Sequence, residues 1–184
     1  METGLEAITN YTFEELYEDE DCGWRGANFC MEGKARQFVN SLVGRKLTHI
    51  CCEAEIMDFS FGPLALHAMG CSRILKGIDI LVTTLDYQSW DQMESTNNDE
   101  WFNMRRFNAE IVGGSVVSVQ VSPWHDLVIR LDNDVMIECL VANACPHYGK
   151  ELEQWVLFES TGDGNGTFLT VYNKMVDFHE NSEA

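Results

Sequence analysis

Basic side chains are scarce in this chain, and the scarcity is uneven. Against 30 Asp and Glu stand 12 Lys and Arg, for a net charge of −18. The first 21 residues hold no Lys or Arg but carry Glu2, Glu6, Glu14, Glu15, Glu18, Asp19, Glu20 and Asp21. A second basic-free stretch carries Asp86, Asp91, Glu94, Asp99 and Glu100. A surface of this kind repels a phosphate backbone, so no nucleic-acid partner is expected. Also missing is any apolar run of about 18 residues, which predicts no membrane-spanning helix. The opening "METGLEAITNYTFEELYEDEDCG" has neither a basic n-region nor an apolar h-region, so no secretory leader is expected.

No CxxC pair occurs. The seven cysteines (Cys22, Cys30, Cys51, Cys52, Cys71, Cys139, Cys145) are an odd number at irregular spacing, unlike a secreted disulfide framework. Most lie in apolar runs such as "HICCEAEI" and "MIECLVANAC", where free Cys packs as a small hydrophobe. The expected compartment is therefore reducing and cytoplasmic.

Catalytic patterns are absent too. His49 with Cys51 and Cys52, His67 with Cys71, and Cys139 with Cys145 and His147 match no zinc framework. Strand alternation would also point Cys51 and Cys52 to opposite faces. "ACPHYG" sets Cys145 near His147, a nucleophile and a base, but Pro146 makes a turn there and no third group is identifiable. His125 and Asp126 are neighbours that face apart on a strand. "DGNGT" opens like a calcium loop, yet its twelfth position is Lys174, where a bidentate Glu is needed. The same glycines fit no phosphate-binding pattern. Nothing marks one carboxylate pair among the acids for glycoside hydrolysis. The expectation is no enzyme, no catalytic residue, no metal and no cofactor.

What is present is a core and a repeat. A hydrophobic fraction of 45% argues against disorder despite the charge. A chain of 184 residues makes one domain, or two half-domains on a shared core, and buries about 70% of its unfolded surface. "LVGRKLTHI" at 42–50 matches "IVGGSVVSV" at 111–119, with Gly44 on Gly113, Leu47 on Val116 and Ile50 on Val119. "MDFSF" at 57–61 matches "LVIRL" at 127–131, and "LALHA" at 64–68 matches "VMIEC" at 135–139. "QSWDQMES" and "EQWVLFES" are read as closing the copies, which sets Trp90 against Trp155. The offsets run 69, 70, 71 and then 65, as in a duplicated unit with loop insertions and deletions.

Alternation and β-branched content make these elements strands, with Asp132-Asn133-Asp134 as a tight turn. Each copy is then a three-stranded antiparallel meander whose single apolar face needs the other copy. The expected fold is mainly β, a β-rich α+β class. Two tandem meanders pack as a pseudo-symmetric sandwich or barrel behind a short N-terminal helical segment. The boundaries are 1–41 for the acidic segment, 42–98 and 99–160 for the copies, and 161–184 for a loop, a final strand and an acidic tail. Helices are expected at "YTFEELYED" and "GKARQFVNSLV", strands at "GIDILVTTL" and "TFLTVYNKM", and a polar linker at "ESTNNDEW". Trp90 and Trp155 become matched core plugs, and Arg105 and Arg106 are expected to pair with the acidic linker.

The pattern "VGRKLTHI…MDFSF…LALHA" with its closing Trp, and a second copy ending "EQWVLF", resembles small bacterial β-rich immunity proteins of polymorphic-toxin and contact-dependent growth-inhibition systems. The resemblance covers roughly 42–160. It implies a cytosolic protein that binds one toxin domain and blocks its active site. Acidity suits a cationic toxin such as a nuclease, engaged through Glu14, Glu15, Glu18, Asp19, Glu20 and Asp21, or through Asp91, Glu94, Asp99 and Glu100. The alternative is a non-catalytic small-molecule binder with its ligand between the copies near Trp90 and Trp155. Monomer or dimer is left open.

Overall fold

A computed structural model of the chain describes residues 31, 33–143, 152–161, 165–173 and 175–181. The helix expected at 11–19, and the Cys145 and His147 pair, lie outside them. Within them the fold is mainly β, as the alternation predicts. A six-stranded antiparallel sheet has the order β1-β2-β3-β9-β10-β11 and a five-stranded one the order β5-β4-β8-β7-β6. The first contains β1 (His49–Glu53), β2 (Ile56–Phe61), β3 (Leu64–Ala68), β9 (Glu153–Glu159), β10 (Phe168–Tyr172) and β11 (Val176–His179). The second contains β4 (Cys71–Lys76), β5 (Asp79–Thr83), β6 (Val116–Val121), β7 (Leu127–Leu131) and β8 (Val135–Leu140). Helix α1 (Gly33–Asn40) precedes β1, and α2 (Asp99–Ile111) precedes β6.

The period-2 pattern explains the sandwich. Met57, Phe59 and Phe61 of β2, with Leu64, Leu66 and Ala68 of β3, are buried while the residues between them are not. Leu127, Ile129 and Leu131 of β7, with Val135, Ile137 and Cys139 of β8, do the same in the second sheet. These rows belong to one continuous core, so each meander removes the other's apolar face from water. The sandwich is open, not a closed barrel.

The two copies are woven together. After three strands each chain segment leaves its own sheet and enters the opposite one: β4 pairs with β8, and β9 with β3. Read from the meander outward, the sheets run β1-β2-β3-β9-β10 and β6-β7-β8-β4-β5, position for position. The repeat is therefore α-β-β-β-β-β twice, with β11 added.

Hydrogen bonds where the copies meet obey a pseudo-twofold axis. Lys46 and Ser115, 69 residues apart and hence equivalent, form an antiparallel bridge with each other. Around it Gly44 N donates to Val116 O at 2.8 Å, and its counterpart Gly113 N donates to Leu47 O at 2.9 Å. Val116 N donates to Arg45 O at 2.8 Å, and Leu47 N to Gly114 O at 2.9 Å. Both matched glycines have positive φ, 84° at Gly44 and 105° at Gly113. An L side chain is strained there, which is why both copies use Gly.

Cross-strand pairing corrects the Trp match. Ala68 and Cys139 are equivalent, and their partners are Trp155 and Ser72. Trp155 therefore corresponds to Ser72, not to Trp90. Trp155 is a fully buried plug, whereas Trp90 is half-buried beyond the sheets and stacks on Tyr87 with centroids 5.5 Å apart. Two other expectations change. The polar linker runs into α2, whose N-cap Asn98 accepts from Trp101 N at 2.9 Å. Arg105 and Arg106 lie over the rings of Trp101 and Phe107 at 4.6 and 5.0 Å and form no ion pair with the acids of the linker.

Candidate functional site at the acidic end

Antiparallel pairing sends alternate turns to opposite ends of the sandwich. The pseudo-twofold bridge sits at one end. The other gathers the β1–β2 and β10–β11 turns, the crossovers β3→β4 and β8→β9, the segment after β5 and the β6–β7 turn. Registers tie them together: Met57 pairs with Ala68, Ala68 with Trp155, Cys71 with Leu140 and Leu127 with Cys139. Across the sheets, Trp155 Nε1 donates to His125 O at 2.8 Å, and Val141 N donates to Asp126 Oδ1 at 2.8 Å. Described residues of these turns include Glu53, Glu55, Asp86, Asp91, Glu94, Asp126 and Glu153, and no Lys or Arg.

The longest of these segments, 84–98, is built and not merely polar. A 3-10 helix (Thr84–Ser89) starts in a capping box in which Thr83 and Asp86 exchange bonds. Asp86 also accepts from Asn103 Nδ2 at 3.2 Å, which ties the turn to α2. Ser89 Oγ accepts from Asp99 N at 2.7 Å and donates to Asp86 O at 2.9 Å. Asp91 accepts from Met93 N at 3.0 Å and from Asn97 Nδ2. Trp90 Nε1 donates to Glu94 O at 2.7 Å. This scaffold holds large apolar side chains in water, with Leu85 58% and Met93 84% exposed. Trp124 and Leu152 are exposed at the same end. Aromatic and Met side chains amid like-signed charge form an interaction surface more readily than a solvated linker.

Of the predicted partner-binding residues, Asp91, Glu94 and Asp99 are exposed on this segment and at the start of α2. Glu100 is not a surface residue. Its relative exposure is 0%, because the first turn of α2 packs it inward near Cys52 of β1. Neither carboxyl oxygen has a hydrogen-bond partner among the described residues. Burial, with Asp86 and Glu55 adding repulsion, pushes its pKa up to about 8, so it is largely protonated at neutral pH. Its sequence signal was hidden: an acid at the second helical position reads as favourable to the helix dipole. Glu14, Glu15, Glu18, Asp19, Glu20 and Asp21 lie outside the described residues.

Between the two crossovers lies a cleft of about 420 Å³. Glu55, Met69 and Gly70 come from the first sheet's rim, Leu85 and Tyr87 from the 3-10 helix, and Asn143, Leu152 and Glu153 from the second crossover. A second groove, about 440 Å³, runs between α1 and β6, with Arg36 beside Val39, Val119 and Val121. Neither Trp90 nor Trp155 lines either one.

The remaining chemistry is quiet among the described residues. Burial pushes the Cys52 and Cys139 thiols up to about 12, and burial with Asp58 raises Cys51, the reverse of what a thiolate nucleophile needs. Cys51 Sγ lies 3.6 Å from Asp58 Oδ2, and His67 Nε2 lies 3.4 Å from Asp58 Oδ1, on neighbouring strands. No three His, Cys, Asp or Glu side chains are placed to hold one metal. No described helix is long and apolar enough to cross a membrane. No protein family, curated protein or solved structure matches the chain.

Proposed function

We propose that this chain is a stoichiometric protein inhibitor of the immunity type, docking through its acidic end onto a cationic toxin domain such as a nuclease. One observation carries the reading. Asp91, Glu94 and Asp99 share a hydrogen-bonded segment with exposed Leu85 and Met93, without a basic residue among them. Like-signed charge steers a cationic partner and speeds encounter, and the apolar side chains supply buried area once contact is made. The inhibitor does no chemistry. It occludes a cationic cleft by shape and charge. The net charge of −18 and the resemblance of 42–160 to immunity proteins support the same reading.

Capture from lysate of the source organism at low and physiological salt, followed by purification of the captured domain, supplies the partner. The expected result is one basic domain bound in equal amount. Asp91→Lys, Glu94→Lys and Asp99→Lys together then cut the association rate at low salt at least about tenfold. The same reversal at Glu14, Glu15, Glu18 and Asp19 measures the N-terminal acids separately. A partner bound with salt-independent kinetics, indifferent to both sets, overturns the electrostatic mechanism.

A further inference from the structure

We propose that the cleft at the acidic end is a socket for one arginine side chain of a protein partner, an inference that rests on reading this end as the docking surface. Glu55, from the β1–β2 turn, and Glu153, from the head of β9, are the charged groups among the described residues that line the cleft. Neither forms an ion pair with a described Lys, Arg or His. Among the described residues, the Glu153 carboxylate accepts a long bond from Tyr172 Oη, at 3.5 Å. Two carboxylates on separate segments, without an ion-pair partner among the described residues, are an arrangement that a cation completes.

The rest of the lining selects the cation's shape. Tyr87, backed by Trp90 in a stack of 23° interplanar angle, gives an aromatic wall to a planar guanidinium. Leu85 and Leu152 stand at the mouth, exposed, where the methylene stem of a long side chain would lie. A guanidinium offers five donors in a rigid fork and stacks on rings, whereas an ammonium is a compact, strongly hydrated charge. The site therefore favours Arg over Lys. Its frame is rigid: Met69 N and Gly70 N both donate to Gln154 O, at 2.9 and 2.8 Å, and the Gln154 side chain accepts from Ala142 N at 3.1 Å. The cleft floor thus joins both crossovers of the duplicated fold.

The test titrates the full chain with acetyl-Gly-Arg-Gly-amide and with the same peptide carrying citrulline, which keeps the shape and lacks the charge. Backbone amide shifts and Trp fluorescence report binding. The expected result is saturable binding of the arginine peptide at least tenfold tighter than the citrulline peptide. Glu55→Gln with Glu153→Gln abolishes that difference, and Tyr87→Leu weakens the arginine peptide several-fold. Both glutamates are exposed, so the double variant folds, and circular dichroism verifies it. Equal binding of the two peptides, or discrimination that survives the double variant, overturns the socket. If the arginine peptide binds as described but no basic domain is captured, the socket stands and the inhibitor reading falls. If a captured domain binds the double variant as tightly as the wild-type chain, the socket falls and the inhibitor reading stands.

Discussion

The two copies of the repeat agree at one end of the molecule and part company at the other. Around the pseudo-twofold bridge they match residue for residue: Gly44 with Gly113, Leu47 with Val116, and the fully buried Leu42 with Ile111. Phe38 and Phe107, at the same offset, both pack partly buried against the core. At the acidic end the same alignment sets Met31 against Glu100 and Ser72 against Trp155. All four are buried, so the differences are not surface drift. One end keeps matched pairs around the pseudo-twofold bridge, and at the other the equivalent buried positions carry different residue types.

Trp155 tests that contrast most severely. Its indole fills the core where the other copy has a serine, and its Nε1 is satisfied by His125 O across the sheets. Trp155→Ala should cost about 3–5 kcal/mol by urea denaturation, the range for a large aromatic removed from a packed core. Trp155→Phe keeps much of the packing but removes the Nε1 donor to the His125 carbonyl, and should cost less, about 1–3 kcal/mol. Ser72→Ala should change stability by less than about 1 kcal/mol, because the buried Ser72 hydroxyl has no hydrogen bond among the described residues to lose. Comparable losses at both positions would mean that the Trp is no asymmetric anchor.

The strands were legible because their signal is local. Period 2 in "MDFSF" and "VMIEC" sets which residues face inward, and the match of Gly44 to Gly113 aligns the starts of the two copies. What stayed hidden depends on pairing between distant segments. β4 has Arg73 and Lys76 in a short run and shows its strand character only beside β8, where Arg73 meets Glu138. The exchange of β4 and β9 between sheets leaves no local trace, so the second Trp was sought at the wrong position. Of the residues expected to bind a partner, Asp91, Glu94 and Asp99 are exposed, as charge alone suggests. Glu100 could be separated from them only by knowing which face of α2 meets β1.

Glu100 sharpens the comparison from the other side. Met31 at the equivalent position is apolar and buried, while Glu100 holds a buried carboxyl with no hydrogen-bond partner among the described residues. Glu100→Met should therefore stabilise the fold, by about 1–3 kcal/mol at pH 4, where the carboxyl is largely neutral in both states, by removing an unsatisfied polar group, and by more at higher pH. In the unfolded chain this carboxyl ionises near its ordinary value of 4.5, and in the folded chain near about 8. Between those values the folded form retains a proton that the unfolded form has released, so stability falls as pH rises. Below 4.5 both forms are protonated and the titration penalty vanishes; above about 8 it is complete. The advantage of Glu100→Met should thus grow across this window in urea melts at a series of pH values. A constant difference from pH 4 to pH 9 would show that the group does not titrate as its burial demands.

The smallest effect is the most exacting for the symmetry itself. Gly44→Ala and Gly113→Ala each force an L side chain into positive φ, at a cost of about 1–2 kcal/mol. A Cβ at Gly44 would meet nothing within 4 Å, and at Gly113 only Lys46 Cε at 3.9 Å. Steric clash therefore contributes at neither site, and the penalty is conformational in both. If the pseudo-twofold axis relates two equivalent backbone turns, the two losses should agree to within about 0.5 kcal/mol and add in the double variant, unless the shared hydrogen bonds couple them. Asn, which tolerates the left-handed region better than Ala, should recover part of each loss to the same degree. A large loss at one glycine and none at the other would mean that the turns differ energetically despite their matching geometry, with the centre of the fold maintained by one copy alone.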